Sequence, residues 1–79
     1  MEIKVLGTGC AKCKTLEKIV REVVSEMGIS ADIEKVTDIN EIMEFNILMT
    51  PGLVVNGNVK VSGKLPGKDE IKKLIDSER

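Results

Sequence analysis

The chain has 79 residues, which is the length of one domain, and we expect residues 1–79 to form a single one. Hydrophobic residues make up 42% and charged residues 32% of the sequence, a balance typical of globular proteins rather than of disordered or membrane-spanning chains. The net charge is −1 and aromatic residues are only 1%. Because basic blocks and aromatic stacking platforms are missing, this composition disfavours nucleic acid as a partner.

The first nine residues, MEIKVLGTG, contain a short apolar run without a basic leader, a long apolar core or a cleavage site. They do not match a secretory signal peptide. No apolar stretch of the sequence approaches the ~20 residues that a membrane helix needs, so we expect no membrane insertion. We therefore expect a cytoplasmic protein, and in that compartment a lasting structural disulfide is unusual because thiols are kept reduced.

The first predicted elements are a strand and a long helix. Residues 3–6 form an apolar run that Gly7 and Gly9 end. The helix that follows has one apolar stripe, because its apolar residues recur at steps of three and four. These residues are Leu16, Ile19, Val20, Val23, Val24 and Met27. Gly28 is placed to end this helix, since a left-handed residue is favoured there.

The second half of the chain predicts two further strands paired as a hairpin and two shorter helices. Residues 31–36 largely alternate, as an edge strand does, and Asp38 is compatible with the start of a short helix whose apolar face is Ile39, Ile42 and Met43. Two β-branched runs, residues 53–55 and 58–61, flank Asn56-Gly57, which predicts a tight hairpin. Asp69 and Glu70 suit the start of a last helix with a buried face at Ile71, Leu74 and Ile75.

The predicted order is β-α-β-α-β-β-α. A β-α-β crossover is right-handed, which makes the first two strands parallel. The hairpin adds an antiparallel pair, so the sequence predicts an α/β fold with a mixed sheet.

The two cysteines of the chain lie in GTGCAKC, residues 7–13, where the first strand ends and the long helix begins. A helix N-terminus has unpaired N–H groups and a partial positive charge, and both favour a thiolate, so we expect Cys10 to have a lowered pKa. Cys13 lies on the same helix face and continues the apolar stripe, so it should be the more buried. An exposed attacking thiol beside a covered resolving thiol is what thiol–disulfide exchange needs. Lys12 and Lys14 add a small, screened stabilisation of the thiolate.

Two other interpretations of the cysteines stay open on the residues alone. They can be two small buried hydrophobes in an interaction module. They can also bind a soft metal, as a carrier or sensor of copper or zinc. A structural zinc site wants four ligands, and this chain has two thiols and no histidine, whereas Cu(I) can be held by two thiolates. GTGCAKC resembles the cysteine loop of heavy-metal-associated domains, but those domains have a β-α-β-β-α-β order and a Met where this chain has Thr8.

A distant stretch favours the redox interpretation. Pro51 stands at the entrance of a central strand, where proline is normally excluded because it cannot donate to the ladder. A cis peptide at the strand entrance is one solution, and an ordinary trans Thr-Pro turn is the other.

The cysteine pair at the tip of strand one, the element order and the proline before a hairpin together resemble the thioredoxin fold over essentially the whole chain. The nearest resemblance is to the small redox-active disulfide proteins that share Gly-x-Gly-Cys-x-x-Cys and a Pro-Gly before the hairpin. It implies a four-stranded mixed sheet with helices on both faces. It also implies a thiol–disulfide oxidoreductase active in electron transport and cell redox homeostasis, with protein disulfides as substrates, a separate reductase and no cofactor beyond the dithiol.

The resemblance also implies the roles of individual residues. Cys10 would be the nucleophile and Cys13 the resolving cysteine, with Pro51 cis beside them and Thr50 offering backbone hydrogen bonds to an extended substrate. Ala11 and Lys12 lie inside the motif. Separately from the resemblance, Met49, just before Thr50-Pro51, has two interpretations: an apolar rim with Ala11 and Leu65 that docks a partner protein, or simple packing of the loop. The chain departs from thioredoxins proper at Gly9, where they have Trp, and at Lys4, where they have a buried acid. Residues 62–68 are basic, unlike the glutathione site of glutaredoxins.

Overall fold

A computed structural model of the chain describes residues 1–47 and 49–79. Its seven elements follow the predicted order, and their ends differ by at most one residue from those that the sequence predicted. The elements are β1 (Glu2–Leu6), α1 (Ala11–Met27), β2 (Asp32–Val36), α2 (Ile39–Glu44), β3 (Gly52–Val55), β4 (Asn58–Ser62) and α3 (Lys68–Asp76). Within the described ranges, none of the helices has the length and apolar character that would allow it to cross a membrane.

The four strands form one mixed sheet in the order β2-β1-β3-β4. β1 and β2 are parallel, with Leu6 opposite Val36, whereas β3 runs antiparallel to both β1 and β4. On the other side of β1, Leu6 is paired with Gly52. The chain that leaves β1 and the chain that enters β3 therefore meet at the same edge of the sheet.

Helices cover both faces of this sheet, as the predicted fold requires. Alternate residues of a strand point to opposite faces, so Ile3 and Val5 pack with α1 and α3, while Leu6 packs with α2. The larger core consists of Ile3, Val5, Leu16, Val20, Val23, Leu53, Val55, Val61, Ile71 and Ile75. The smaller core, under α2, consists of Leu6, Val36, Ile42, Ile47 and Val54, with Phe45 partly buried against it.

Local sequence signals determine where α1 ends and where the hairpin turns. Gly28 caps α1 in the left-handed region, with φ 63°, where a residue without Cβ avoids a steric penalty. In the hairpin, Asn56 and Gly57 have φ of 50° and 83°, the positive values that a tight two-residue turn requires. The β3–β4 register shifts between Leu53 and Val54, which makes Lys60 the extra residue of β4.

The predicted apolar face of α2 is only partly buried. Ile42 is 4% exposed, but Ile39 and Met43 are 62% and 63% exposed. The reason is the length of α2: a helix of six residues lying on the sheet brings one apolar position into the core and leaves the flanking ones outside. This exposed apolar surface lies on the side of the sheet opposite α1.

Charged side chains of α3 contact α1, in addition to the packing of its core residues. Lys68 contacts Glu26 and lies 3.8 Å from Glu22, and Lys72 lies 3.5 Å from Glu26. The hydrogen bond from Lys68 holds the pKa of Glu26 below its ordinary value, and the same bond raises the pKa of Lys68. These groups are solvent-exposed, so their contribution to stability is small.

Candidate active site

Cys10 is held at the junction of β1 and α1. The N–H of Gly7 donates to the carbonyl of Val36 over 3.0 Å, which extends the β1–β2 pairing by one residue. The chain then turns through Gly9, at φ 93°, and Cys10 is the extended N-cap residue of α1. The sequence thus places a sulfur atom where the first turn of the helix has N–H groups to donate.

The helix start binds Cys10 through two hydrogen bonds. The N–H of Cys13 donates to Cys10 Sγ over 3.2 Å, and the N–H of Lys14 donates to the carbonyl of Cys10 over 3.0 Å. The first bond is an N-cap interaction in which sulfur takes the place usually held by an oxygen. It delivers positive electrostatic potential to the sulfur of Cys10.

Cys10 and Cys13 are joined by a disulfide, with their Cα atoms 5.1 Å apart. Their environments differ: Cys10 is exposed to solvent, whereas Cys13 is 5% exposed and lies in the first turn of α1. Ala11, Lys12 and Lys14 are exposed around them. An incoming sulfur can therefore reach Cys10 from solvent, but Cys13 is shielded.

The loop that enters β3 lies at the same edge of the sheet. The Thr50–Pro51 peptide bond is cis, and Pro51 is buried. The carbonyl of Pro51 accepts a hydrogen bond from the N–H of Gly63 over 2.9 Å, which ties this loop to the end of β4. Because Leu6 is paired with Gly52 in an antiparallel register, the next position places Pro51 opposite Gly7, where the loop that carries Cys10 begins.

A groove of about 310 Å³ connects the cysteine loop to the proline loop and to α2. Its lining residues are Thr8, Ile39, Ile42, Met43, Ile47, Met49 and Thr50. Of the predicted site residues, Met49 and Thr50 line the groove. The residues that do not line it are Cys10, Cys13, Pro51, Ala11, Lys12 and Leu65. Met49 is 64% exposed, so the groove has apolar walls open to solvent.

Sequence reasoning missed the contribution of α2 and of Thr8 to this groove. A signal for α2 was present, because this helix has more apolar residues, at positions 39, 42 and 43, than a helix of its length buries. Thr8 had no such signal, since a threonine in a glycine-rich loop is common and has no specific meaning by itself.

Lys4, the basic residue of β1, is half-buried on the α2 side of the sheet. Its Nζ lies 5.5 Å from the centre of the Phe45 ring and 3.9 Å from Glu2 Oε1. The ammonium group is thus balanced by an aromatic face and a carboxylate.

In residues 1–47 and 49–79, His, Cys, Asp and Glu side chains do not gather into a group of three or more that could hold a metal ion.

Comparison with known proteins agrees with this geometry. The Thioredoxin domain family matches residues 1–76. The chain is 45% identical over 75 residues to a thioredoxin of Methanothermobacter thermautotrophicus, covering 95% of this chain and 97% of that protein. It is 43% identical over 75 residues to a thioredoxin of Methanocaldococcus jannaschii, covering 95% of this chain and 86% of the relative.

The predicted fold and family are both confirmed by the mixed sheet with helices on each face and by these matches. The disulfide between Cys10 and Cys13 has the C-x-x-C spacing on which the chemistry of dithiol exchange depends. The chain therefore belongs to the thioredoxin family and is a protein thiol–disulfide oxidoreductase.

Proposed function

We propose that Cys10 is the nucleophile that attacks a disulfide of another protein, and that Cys13 is the resolving cysteine. The observation that carries this assignment is the difference in exposure of the two sulfur-bearing residues, with Cys10 open to solvent and Cys13 5% exposed. Attack on a bulky partner requires access, whereas resolution takes place inside the mixed disulfide and does not.

The reaction balances without a further cofactor. The thiolate of Cys10 attacks one sulfur of the substrate disulfide, a bond forms between the two proteins, and the other substrate sulfur leaves as a thiolate. The thiolate of Cys13 then attacks Cys10 Sγ, the second substrate thiolate leaves, and the Cys10–Cys13 disulfide forms. The substrate gains two electrons and the dithiol loses two, with water taking and returning the protons, and a separate reductase restores the dithiol.

The N-terminus of α1 supports the first step. A thiolate at Cys10 would accept the N–H of Cys13, the group that donates to Cys10 Sγ here over 3.2 Å. The aligned peptide dipoles of the 17-residue helix add positive potential at the same point. Both interactions favour the thiolate, which is the reactive form.

Substrate binding in this proposal uses the groove that is lined by Thr8, a residue of the loop that carries Cys10. An extended segment would lie beside Thr50 and Pro51 and form backbone hydrogen bonds with Thr50, a form of strand addition. Apolar side chains of that segment would contact Met43 and Met49, with Ala11 and Lys12 on the other side of Cys10. The partners are protein disulfides and a reductase, and we place the protein, acting as one domain over residues 1–79, in the cytoplasm.

The experiment is reduction of a model protein disulfide, that of insulin, with Cys10→Ser and Cys13→Ser as a matched pair of variants. Cys10→Ser should abolish catalysis. Cys13→Ser should form a mixed disulfide with the substrate that accumulates and can be identified by mass. A Cys10→Ser protein that still reduced insulin would overturn the assignment of roles.

The redox couple itself gives a second measurement. Equilibration of the wild-type protein with dithiol buffers, followed by thiol trapping and mass measurement, should show a reversible two-electron couple between roughly −300 and −120 mV. A pair that formed no reversible intramolecular disulfide would contradict the proposal.

A further inference from the structure

Gly7 lies directly against the side chain of Cys13. A Cβ atom built on Gly7 would come 2.8 Å from Cys13 Cβ and closer still to Cys13 Sγ. Cβ atoms in proteins essentially never approach other heavy atoms to less than 3.0 Å. The space that a side chain at position 7 would need is therefore the space that the sulfur of Cys13 occupies.

Neither Gly7 nor Cys13 can easily move away from this contact. Gly7 is buried, and its N–H is held by the carbonyl of Val36 over 3.0 Å as the last rung of the parallel pairing. Cys13 is 5% exposed in the first turn of α1, and Leu16, one turn further along the same face, is fully buried in the core. A methyl group at position 7 would thus be accommodated mainly by rotating or pushing the Cys13 side chain.

Gly7 differs from Gly9, which lies in the same loop, and from Gly67, which lies at the start of α3. Gly9 has φ 93° and open space around its Cα, so its requirement is one of backbone conformation. Gly67, the N-cap of α3, has φ −71°, and a Cβ added there would meet nothing within 4 Å. At Gly7 the requirement is steric, because a Cβ atom there would meet the side chain of Cys13, its sulfur atom first.

We infer that Gly7 is a positioning residue for the resolving step, acting by setting where Cys13 Sγ stands relative to Cys10 Sγ. The inference rests on the proposed roles of the two cysteines. In the resolving step the Cys13 thiolate attacks Cys10 Sγ, the Cys10–Cys13 bond forms, and the bond from Cys10 to the substrate breaks with its electron pair leaving on the substrate sulfur. Such a displacement is sensitive to the position of the attacking atom.

The test separates the two steps with an aromatic disulfide, 5,5′-dithiobis(2-nitrobenzoic acid), and the reduced protein. Attack by Cys10 releases one coloured thiolate, and resolution by Cys13 releases a second. In Gly7→Ala the first release should keep the wild-type rate, and the second should slow by about tenfold to a hundredfold. The pH profile of the first release should be unchanged, because Cys10 keeps its place at the helix N-terminus.

Gly67→Ala is the matched control, since it adds the same methyl group where nothing is in contact, and both releases should keep their wild-type rates. Ile75→Ala controls for loss of stability, because it opens the core under α3 without touching the Gly7–Cys13 contact, and it should not change the ratio of the two rates. Wild-type rates for both releases in Gly7→Ala would overturn the inference and leave the proposed function standing. A single release from the wild-type protein would instead contradict the proposed function.

A double-mutant cycle keeps the inference testable if Gly7→Ala folds poorly. Unfolding by urea is measured under reducing conditions for Gly7→Ala in the wild-type background and in Cys13→Ala. The Gly7→Ala loss should be clearly smaller in Cys13→Ala, because the nearest contacting atom has been removed. An equal loss in both backgrounds would show that Cys13 Sγ is not the atom that Gly7 makes room for, and would overturn the inference.

Discussion

The N–H of Cys13 donates a hydrogen bond to Cys10 Sγ over 3.2 Å, so the backbone of the second cysteine stabilises the sulfur of the first. The three-residue separation is what makes this possible, because an N-cap side chain reaches the N–H of the third helical residue. In a C-x-x-C motif at a helix start, the second cysteine occupies that third position. One spacing thus provides both the partner for disulfide formation and the donor that favours the thiolate.

This geometry predicts that the pKa of Cys10 in the reduced protein lies below about 8.5, the value of an unperturbed cysteine thiol. The pH dependence of Cys10 alkylation, measured in Cys13→Ser so that one thiol reacts, gives the midpoint. Lys12→Ala should move that midpoint little, because water and salt screen an exposed ammonium group. A midpoint at or above the free-thiol value would contradict the stabilisation by α1.

The groove predicts that Met43→Glu selectively weakens reaction with protein disulfides. Met43 is 63% exposed and lines the groove, and a carboxylate there removes the apolar contact that a substrate segment would cover. We expect kcat/KM for insulin to fall by about tenfold. This loss corresponds to a large part of the free energy gained by burying one apolar side chain. The rate with a small aromatic disulfide, which does not need the groove, should stay at the wild-type value.

The control for this prediction is Val59→Glu. Val59 is also an exposed apolar residue, at 41%, but it lies on β4 outside the groove. Equal losses for Met43→Glu and Val59→Glu, or equal losses with both substrates, would refute a docking role for the groove.

The hairpin predicts a backbone effect at Gly57. Its φ of 83° is costly for a residue with Cβ, and no atom lies within 4 Å of that Cβ position, so the cost is conformational and not steric. Gly57→Ala should lower the free energy of unfolding by about 1–2 kcal/mol, measured by urea denaturation. Gly67→Ala, at φ −71°, should lose less. Similar losses of unfolding free energy in the two variants would mean that the positive φ at Gly57 is not the cause of the destabilisation.

The contact between Glu78 and Lys60 predicts a pH-dependent part of the stability. Lys60 Nζ lies 2.7 Å from Glu78 Oε2, and its hydrogen bond, aided by the one from Asn58, lowers the pKa of Glu78 from its ordinary value of 4.5. A carboxyl whose pKa is lowered by folding contributes stability above its unfolded pKa and loses that contribution as pH falls through its folded pKa. Glu78→Gln should therefore lower Tm near neutral pH, and the difference from wild type should shrink and vanish in acid.

The same variant in a Lys60→Gln background tests the cause. Without the ammonium group, Glu78→Gln should change Tm much less at neutral pH. A difference in Tm that persisted in acid would point to lost packing at the end of α3 rather than to the ion pair.

Much of this molecule follows from local sequence. The apolar stripe from Leu16 to Met27 and the glycine after it define α1, and Asn56-Gly57 between two β-branched runs defines the hairpin, because both depend on residues within a few positions of one another. The placement of Cys10 at a helix start is local in the same sense. The element order, and with it the fold, could therefore be predicted from the sequence.

Contacts between distant segments could not be predicted from it. The β1–β3 register brings the loop of Thr8 beside that of Thr50, and the hydrogen bond from Gly7 to Val36 of β2 holds Gly7 where it meets the side chain of Cys13. The period of α2 identified its apolar residues, but how many of them a six-residue helix buries depends on where it rests on the sheet, so the exposure of Ile39 and Met43 came from the tertiary structure. Periodicity specifies which residues share a face, whereas packing decides what that face contacts.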